Sequence, residues 1–105
     1  MIRYRLTPEA ENDLFEIWLY IAGDSVKSAD LVEAAIYDAC AMLADAPDYG
    51  HARKDLTPLP VRFWTLPRYR NYMIAYDPET RPLQIIRIVN GSRNVPAILQ
   101  PGPAS

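Results

Sequence analysis

The hydrophobic residues change their period part-way along the chain. From Ala10 to Leu43 they recur at three- and four-residue spacing, which predicts helices. After Pro60 they alternate or run together, which predicts strands. A short alternating segment, Ile2 to Leu6, precedes the helical part and places Ile2, Tyr4 and Leu6 opposite Arg3 and Arg5. Thr7-Pro8-Glu9 then supplies a helix start: a capping hydroxyl, a proline suited to the first turn and an early acid for the dipole. The first helix carries Ala10, Leu14, Ile17, Trp18 and Ile21 on one stripe and stops at Gly23. Asp24-Ser25 begins a second, with Ala29, Val32, Ile36, Ala39 and Leu43 on its stripe and Cys40 beside it. So short a connection makes the pair an antiparallel hairpin.

The second half reads as three strands. Val61 to Leu66 ends at Pro67, Tyr69 to Tyr76 is rich in aromatic and branched residues, and Leu83 to Val89 is similar. Asp77-Pro78-Glu79-Thr80-Arg81-Pro82 makes the loop between the last two, with two prolines and an aspartate able to bond its own backbone. In the middle strand Tyr72, Ile74 and Tyr76 face one way, Met73 and Ala75 the other. In the last, Leu83, Ile85, Arg87 and Val89 are expected opposite Ile86 and Ile88. Both sides of such a sheet are apolar, so both need a cover. Tyr49 to Pro60 has no sustained period and reads as a loop, and Val95 to Leu99 as a short apolar segment.

The order predicts an α+β domain over residues 1–99: an N-terminal strand, an antiparallel helical hairpin, then a three-stranded antiparallel meander, all in one four-stranded sheet. Residues 100–105 are expected to form a flexible tail. Two helices cover one face of that sheet. The other must be covered by the tail, by a second copy or by a partner chain, and Met73, Ala75, Ile86 and Ile88 are expected to be short of contacts there.

Composition narrows the function. One cysteine in 105 residues excludes an internal disulfide and a thiolate metal site, and suits a reducing cytoplasm. No apolar run approaches the ~20 residues needed to span a bilayer, and the first residues lack a secretory apolar region, so a soluble cytoplasmic protein is expected. The only histidine, His51, has no partner at ligand spacing, and no phosphate-binding glycine loop or serine elbow occurs; neither metal nor cofactor is expected. The net charge of −2 conceals an asymmetry. Residues 1–50 carry ten acids and three bases, residues 51–105 eight bases and three acids, and seven of those eight bases are arginine. That pattern suits an anionic partner for the second half, while part of its charge answers the acidic half.

Arg62, Arg68, Arg70, Arg87 and Arg93 lie on or beside the strands with Tyr69 and Tyr72. Guanidinium forks beside aromatic faces are what single-stranded nucleic acid binding uses, and they can also stabilise a phosphorane-like transition state. Equally, strand arginines lay their stems on a sheet and pair with carboxylates. The pattern leaves both readings open.

Three phrases resemble the ParE branch of the ParE/RelE toxin superfamily of bacterial type II toxin–antitoxin pairs. They are LTPEAENDLFEIWLYIA, DAPDYGHARKDL with its Lys54-Asp55 pair, and IIRIVNGSRNVPAIL. Where the family's closing phrase is usually His-Gly-Ala-Arg-Asp, this chain has Asn90-Gly91-Ser92-Arg93-Asn94. The resemblance covers residues 2–99 and implies the same strand, hairpin and antiparallel sheet. It also implies a toxin held inactive by a cognate antitoxin with a DNA-binding N-terminus and a disordered acidic C-terminus, in a hetero-oligomer. Its expected target is DNA gyrase, bound through Arg68, Tyr69, Arg70, Arg93 and Asn94, with antitoxin contact at Trp18, Met73, Ala75, Ile86 and Ile88. The alternatives are a RelE-like, metal-independent endoribonuclease using Arg62, Arg70, Arg87 and Arg93, or an inactive toxin-like binding module. No histidine follows His51 and no tyrosine follows Tyr76, so a general base is hard to name, which favours the gyrase-poison branch.

Overall fold

The computed structural model describes residues 2–99; the expected tail, residues 100–105, lies outside the described residues. The elements are β1 (Tyr4–Leu6), α1 (Pro8–Ala22), α2 (Val26–Asp45), β2 (His51–Ala52), β3 (Arg62–Thr65), β4 (Tyr72–Asp77), β5 (Leu83–Asn90) and α3 (Val95–Leu99). The α+β class and the order of its main elements are those predicted. The sheet has five strands rather than four, in the order β1-β5-β4-β3-β2. The fifth is β2, a two-residue pairing of His51 with Phe63 and Ala52 with Arg62, too short to leave a period in the loop read over Tyr49 to Pro60. β1 runs parallel to β5, and β3, β4 and β5 form the antiparallel meander.

Thr7 joins sheet to helix. Its N–H donates to the Ile85 carbonyl at 3.0 Å, its hydroxyl donates to the Ile86 carbonyl at 2.7 Å, and the same oxygen accepts the Ala10 N–H at 3.1 Å. One residue thus ends β1's pairing and caps α1. The β4–β5 loop closes as its residue types require: Asp77 Oδ1 accepts the Glu79 N–H at 3.0 Å, and the Thr80 hydroxyl accepts the Gln84 N–H at 2.8 Å.

Two cores lie on the two sides of the sheet. On the helical side, Ala10, Leu14, Val32, Ile36, Cys40 and Leu43 pack on Leu66, Ile74, Tyr76, Leu83, Ile85 and Ile88. On the other, Val61, Phe63, Met73, Ala75 and Val89 pack with Val95 and Leu99 of α3 and with half-buried Leu56, Leu59, Ile86 and Ile98. The chain therefore covers its own second face, with α3 and the segment before β3. The expectation that Met73, Ala75, Ile86 and Ile88 lack contacts is corrected accordingly: Met73, Ala75 and Ile88 are buried and Ile86 is half-buried. The assignment of faces along β5 is corrected too. Opposite β4, Tyr76 pairs with Ile85 but Ala75 with Arg87, so Ile86 is an extra residue in a bulge. Beyond a bulge the alternation reverses, which puts Ile88 with Leu83 and Ile85, and Val89 with Ile86.

Candidate functional site

The bulge decides where the arginines go. β1 accompanies β5 only from Leu83 to Ile85, so the outer edge of β5 is open beyond that point. Asp13 of α1 closes part of it. Its carboxylate accepts Arg87 Nε at 2.6 Å, Arg87 Nη2 at 2.8 Å and the Ile88 backbone N–H at 3.0 Å. Arg87 Nη1 also donates to the Ile98 carbonyl of α3 at 3.2 Å. Hydrogen bonding to Asp13 holds the Arg87 guanidinium above its ordinary pKa. Arg87 is thus a brace between α1, β5 and α3. Arg62 is structural in the same sense: its Nη1 donates to the carbonyls of Gly50 at 2.7 Å and Asp48 at 3.4 Å, fixing the loop before β2.

The other three candidate arginines form no ion pair among the described residues, and all three are exposed. Arg68 and Arg70 lie in the turn between β3 and β4, Arg93 in the turn between β5 and α3. The Gly91 N–H donates to the Asn71 carbonyl at 2.7 Å and ties the two turns together at one end of the sheet. Tyr69 is half-buried against the helical core, and its carbonyl accepts the Tyr72 N–H at 3.0 Å. Asn94, also exposed, accepts the Ala97 N–H at 3.4 Å with its side chain and so helps start α3. Of the sequence-derived target-binding set, Arg68, Tyr69, Arg70, Arg93 and Asn94 are therefore gathered in two neighbouring turns. The ribonuclease set is not gathered in one free cluster: Arg62 and Arg87 are engaged in braces, while Arg70 and Arg93 are free.

Beside Arg93 is a cleft of about 450 Å³ between α1 and the open edge of β5, lined by Glu16, Ile17, Tyr20, Tyr72, Asn90 and Arg93 among others. Burial pushes the Tyr72 phenol above its ordinary value of 10.0, against a smaller opposing effect of Arg93, so it stays protonated at neutral pH. Tyr20, by contrast, is 82% exposed at the mouth of this cleft. Sequence reasoning missed Asp13, which sits three residues after Ala10 of the apolar stripe, a spacing that could have shown it turned toward the sheet.

Trp18, expected in an antitoxin contact, is half-buried and donates from Nε1 to Asp30 Oδ1 at 2.8 Å across the helical hairpin. The large apolar side chains left exposed lie mainly on that hairpin: Phe15, Leu19 and Tyr20 of α1, and Val26, Leu31 and Tyr37 of α2. Among the described residues, no group of three or more His, Cys, Asp or Glu side chains is placed to hold a metal ion, and no helix is long and apolar enough to cross a membrane. Cys40 is fully buried, and burial pushes its thiol up to about 12.

A helical hairpin on one face of a small sheet, with three arginines that form no ion pair among the described residues gathered at one end, defines a small α+β protein. The family model for the ParE toxin of type II toxin–antitoxin systems matches residues 4–95, and the chain belongs to that family. Among solved structures, it is similar to a chain from "Chromosomal ParDE TA system from P. aeruginosa". The TM-score is 0.69 and the identity 24%, over 86% of this chain and 96% of that one, a likeness of fold. A search of curated proteins gives no match.

Proposed function

We propose that this ParE-family toxin acts by binding DNA gyrase and not as a nuclease, and that a cognate antitoxin neutralises it in the cytoplasm as a hetero-oligomer. The observation that carries the reading is the sorting of the five arginines. Arg62 and Arg87 are engaged in structural contacts, while Arg68, Arg70 and Arg93 are exposed and form no ion pair among the described residues. An electrostatic nuclease built on Arg62, Arg70, Arg87 and Arg93 would lose half its set to the fold, whereas a binding surface at the two turns keeps Arg68, Arg70 and Arg93 exposed. Tyr72, which lines the cleft with Arg93, is held protonated by burial and does not serve as a base at neutral pH.

The antitoxin contact moves with the exposed apolar surface. Trp18, Met73, Ala75 and Ile88 are tied up within the fold, so we place an antitoxin's apolar residues on the hairpin, against Phe15, Leu19 and Leu31. Its acidic residues belong at the arginine turns, by charge complementarity.

Expression of the chain alone tests the target. Growth arrest with filamentation, and accumulation of gyrase–DNA cleavage complexes in a purified assay, is the expected result. Arrest with cleaved mRNA and intact DNA would establish the nuclease instead. Unimpaired growth with folded protein present would leave a toxin-like binding module.

A further inference from the structure

The arginine turns carry more than their charge. We infer that this end of the sheet grips single-stranded nucleic acid, with Arg68, Arg70 and Arg93 on consecutive phosphates and a base stacked on Tyr20. The inference deepens the proposed binding role of the same surface, yet it needs no gyrase to be tested.

Four observations converge on it. First, these are free guanidinium groups: exposed, with no ion pair among the described residues, whereas Arg3, Arg53 and Arg87 are each paired with a carboxylate. Second, they are positioned, because the 2.7 Å bond from the Gly91 N–H to the Asn71 carbonyl fixes one turn against the other. Third, Tyr20 projects from α1 at 82% exposure and lines the same cleft as Arg93 and Tyr72. An aromatic ring left open beside a free guanidinium offers a stacking face next to a phosphate ligand, which is the arrangement that sequence-tolerant strand binding uses. Fourth, the field has a direction. Residues 8–45, the helical hairpin, hold nine acids and one base, while no acid lies between Val61 and Tyr76 or after Glu79. A polyanion's phosphates are steered to the turns and away from Glu16, which lines the same cleft as Tyr20, so only an uncharged base reaches Tyr20 on the hairpin. A duplex, whose bases are already stacked, cannot use Tyr20, so the preference is for a single strand.

Fluorescence anisotropy of labelled single-stranded DNA and RNA oligonucleotides with the purified chain tests this. Binding is expected at about 50 mM salt, weakening with a log–log slope of about 2, as three phosphate contacts require. Substituting Arg68, Arg70 and Arg93 together by alanine should bring the slope near zero. Tyr20→Ala should weaken binding about tenfold with the slope unchanged. Arg53→Ala, which removes a paired arginine from the same half of the chain, should change neither. Circular dichroism and melting of each variant separate loss of binding from loss of fold. The DNA and RNA arms tell which sugar is preferred. No binding at low salt would overturn the inference. So would an Arg53→Ala effect as large as that of the turn arginines, or equal affinity for duplex with no dependence on Tyr20. Gyrase inhibition without strand binding would leave the proposed function standing and this inference refuted; strand binding without gyrase inhibition would do the reverse.

Discussion

Asp13 on α1 and Arg87 on β5 lie 74 residues apart and are joined by two hydrogen bonds, of 2.6 and 2.8 Å. The same carboxylate also takes the Ile88 N–H, an open-edge donor left by the shortness of β1. Asp13→Ala should therefore strand a guanidinium and a backbone donor together. The pair is partly exposed, so the expected loss is about 2–3 kcal/mol, below that for a fully buried pair. Chemical denaturation would read it, with an unchanged m-value if the native fold is kept. A loss within about 0.5 kcal/mol, the range of ordinary surface changes, would mean that the brace carries little.

Gly50 and Tyr76 make a second long-range anchor. The Tyr76 hydroxyl accepts the Gly50 N–H at 2.8 Å and donates to the Pro47 carbonyl at 2.6 Å. A Cβ at position 50 would lie 2.5 Å from that hydroxyl and 2.8 Å from the Phe63 carbonyl, which belongs to the sheet and cannot yield. Gly50→Ala should cost about 2–3 kcal/mol by overpacking, and Tyr76→Phe about 1–3 kcal/mol by leaving buried partners unmet. Melting of both variants checks this. A neutral Gly50→Ala would show that the loop before β2 is free to shift.

Much of this was legible in the chain. The alternation at Tyr72, Met73, Ile74, Ala75 and Tyr76 gave the two faces of β4 correctly, and the stripes of α1 and α2 named most of the helical core. The β5 faces were not legible, because a bulge is a property of the pair: nothing local to Ile86 announces that Tyr76 and Ala75 will face Ile85 and Arg87. The same limit hid the role of Arg87. Its partner Asp13 is remote in sequence, so a strand arginine bound for a brace looks the same as one bound for a ligand. Arg68, Arg70 and Arg93 differ from it only in where the turns place them.

Alkaline stability should turn on Cys40. Burial raises its thiol from 9.0 to about 12, so the folded state holds a proton that the unfolded chain releases. Such a group contributes stability that is complete below 9.0 and is lost as pH rises toward about 12. Burial also raises the phenols of Tyr4, Tyr37, Tyr72 and Tyr76 above 10.0, and these add to the loss only above that value. Cys40→Ala should cost roughly 1–2 kcal/mol near neutrality yet flatten the decline between 9.0 and 10.0. An equally steep decline in the variant would assign it to other groups.

The apolar surface divides into a part that folds the chain and a part left for a partner. Met73→Ala and Ile88→Ala remove buried side chains and should cost about 2–4 kcal/mol each. Phe15→Asp and Leu19→Asp change side chains that are 59% and 49% exposed, and should leave melting nearly unaltered. If the antitoxin docks on the hairpin, those two variants fail to co-purify with it and remain toxic when both are expressed. Normal co-purification of both variants would place the contact elsewhere.

Arg93→Ala, Arg62→Ala and Arg87→Ala should separate function from fold. Arg93 is exposed in the β5–α3 turn, without an ion-pair partner among the described residues, so its loss should stay within about ±0.5 kcal/mol. Arg62 supplies a 2.7 Å bond to the Gly50 carbonyl, and its loss should cost about 1–2 kcal/mol. Arg87→Ala strands Asp13 and should cost as much as Asp13→Ala. Toxicity in cells should run in the opposite order: abolished by Arg93→Ala at full stability, and reduced by Arg62→Ala only as far as the folded protein is depleted. Growth curves beside melting temperatures, at matched protein levels, make the comparison. If Arg93→Ala remains toxic while Arg62→Ala is harmless at undiminished stability, the acting surface lies on β3 and not at the two turns.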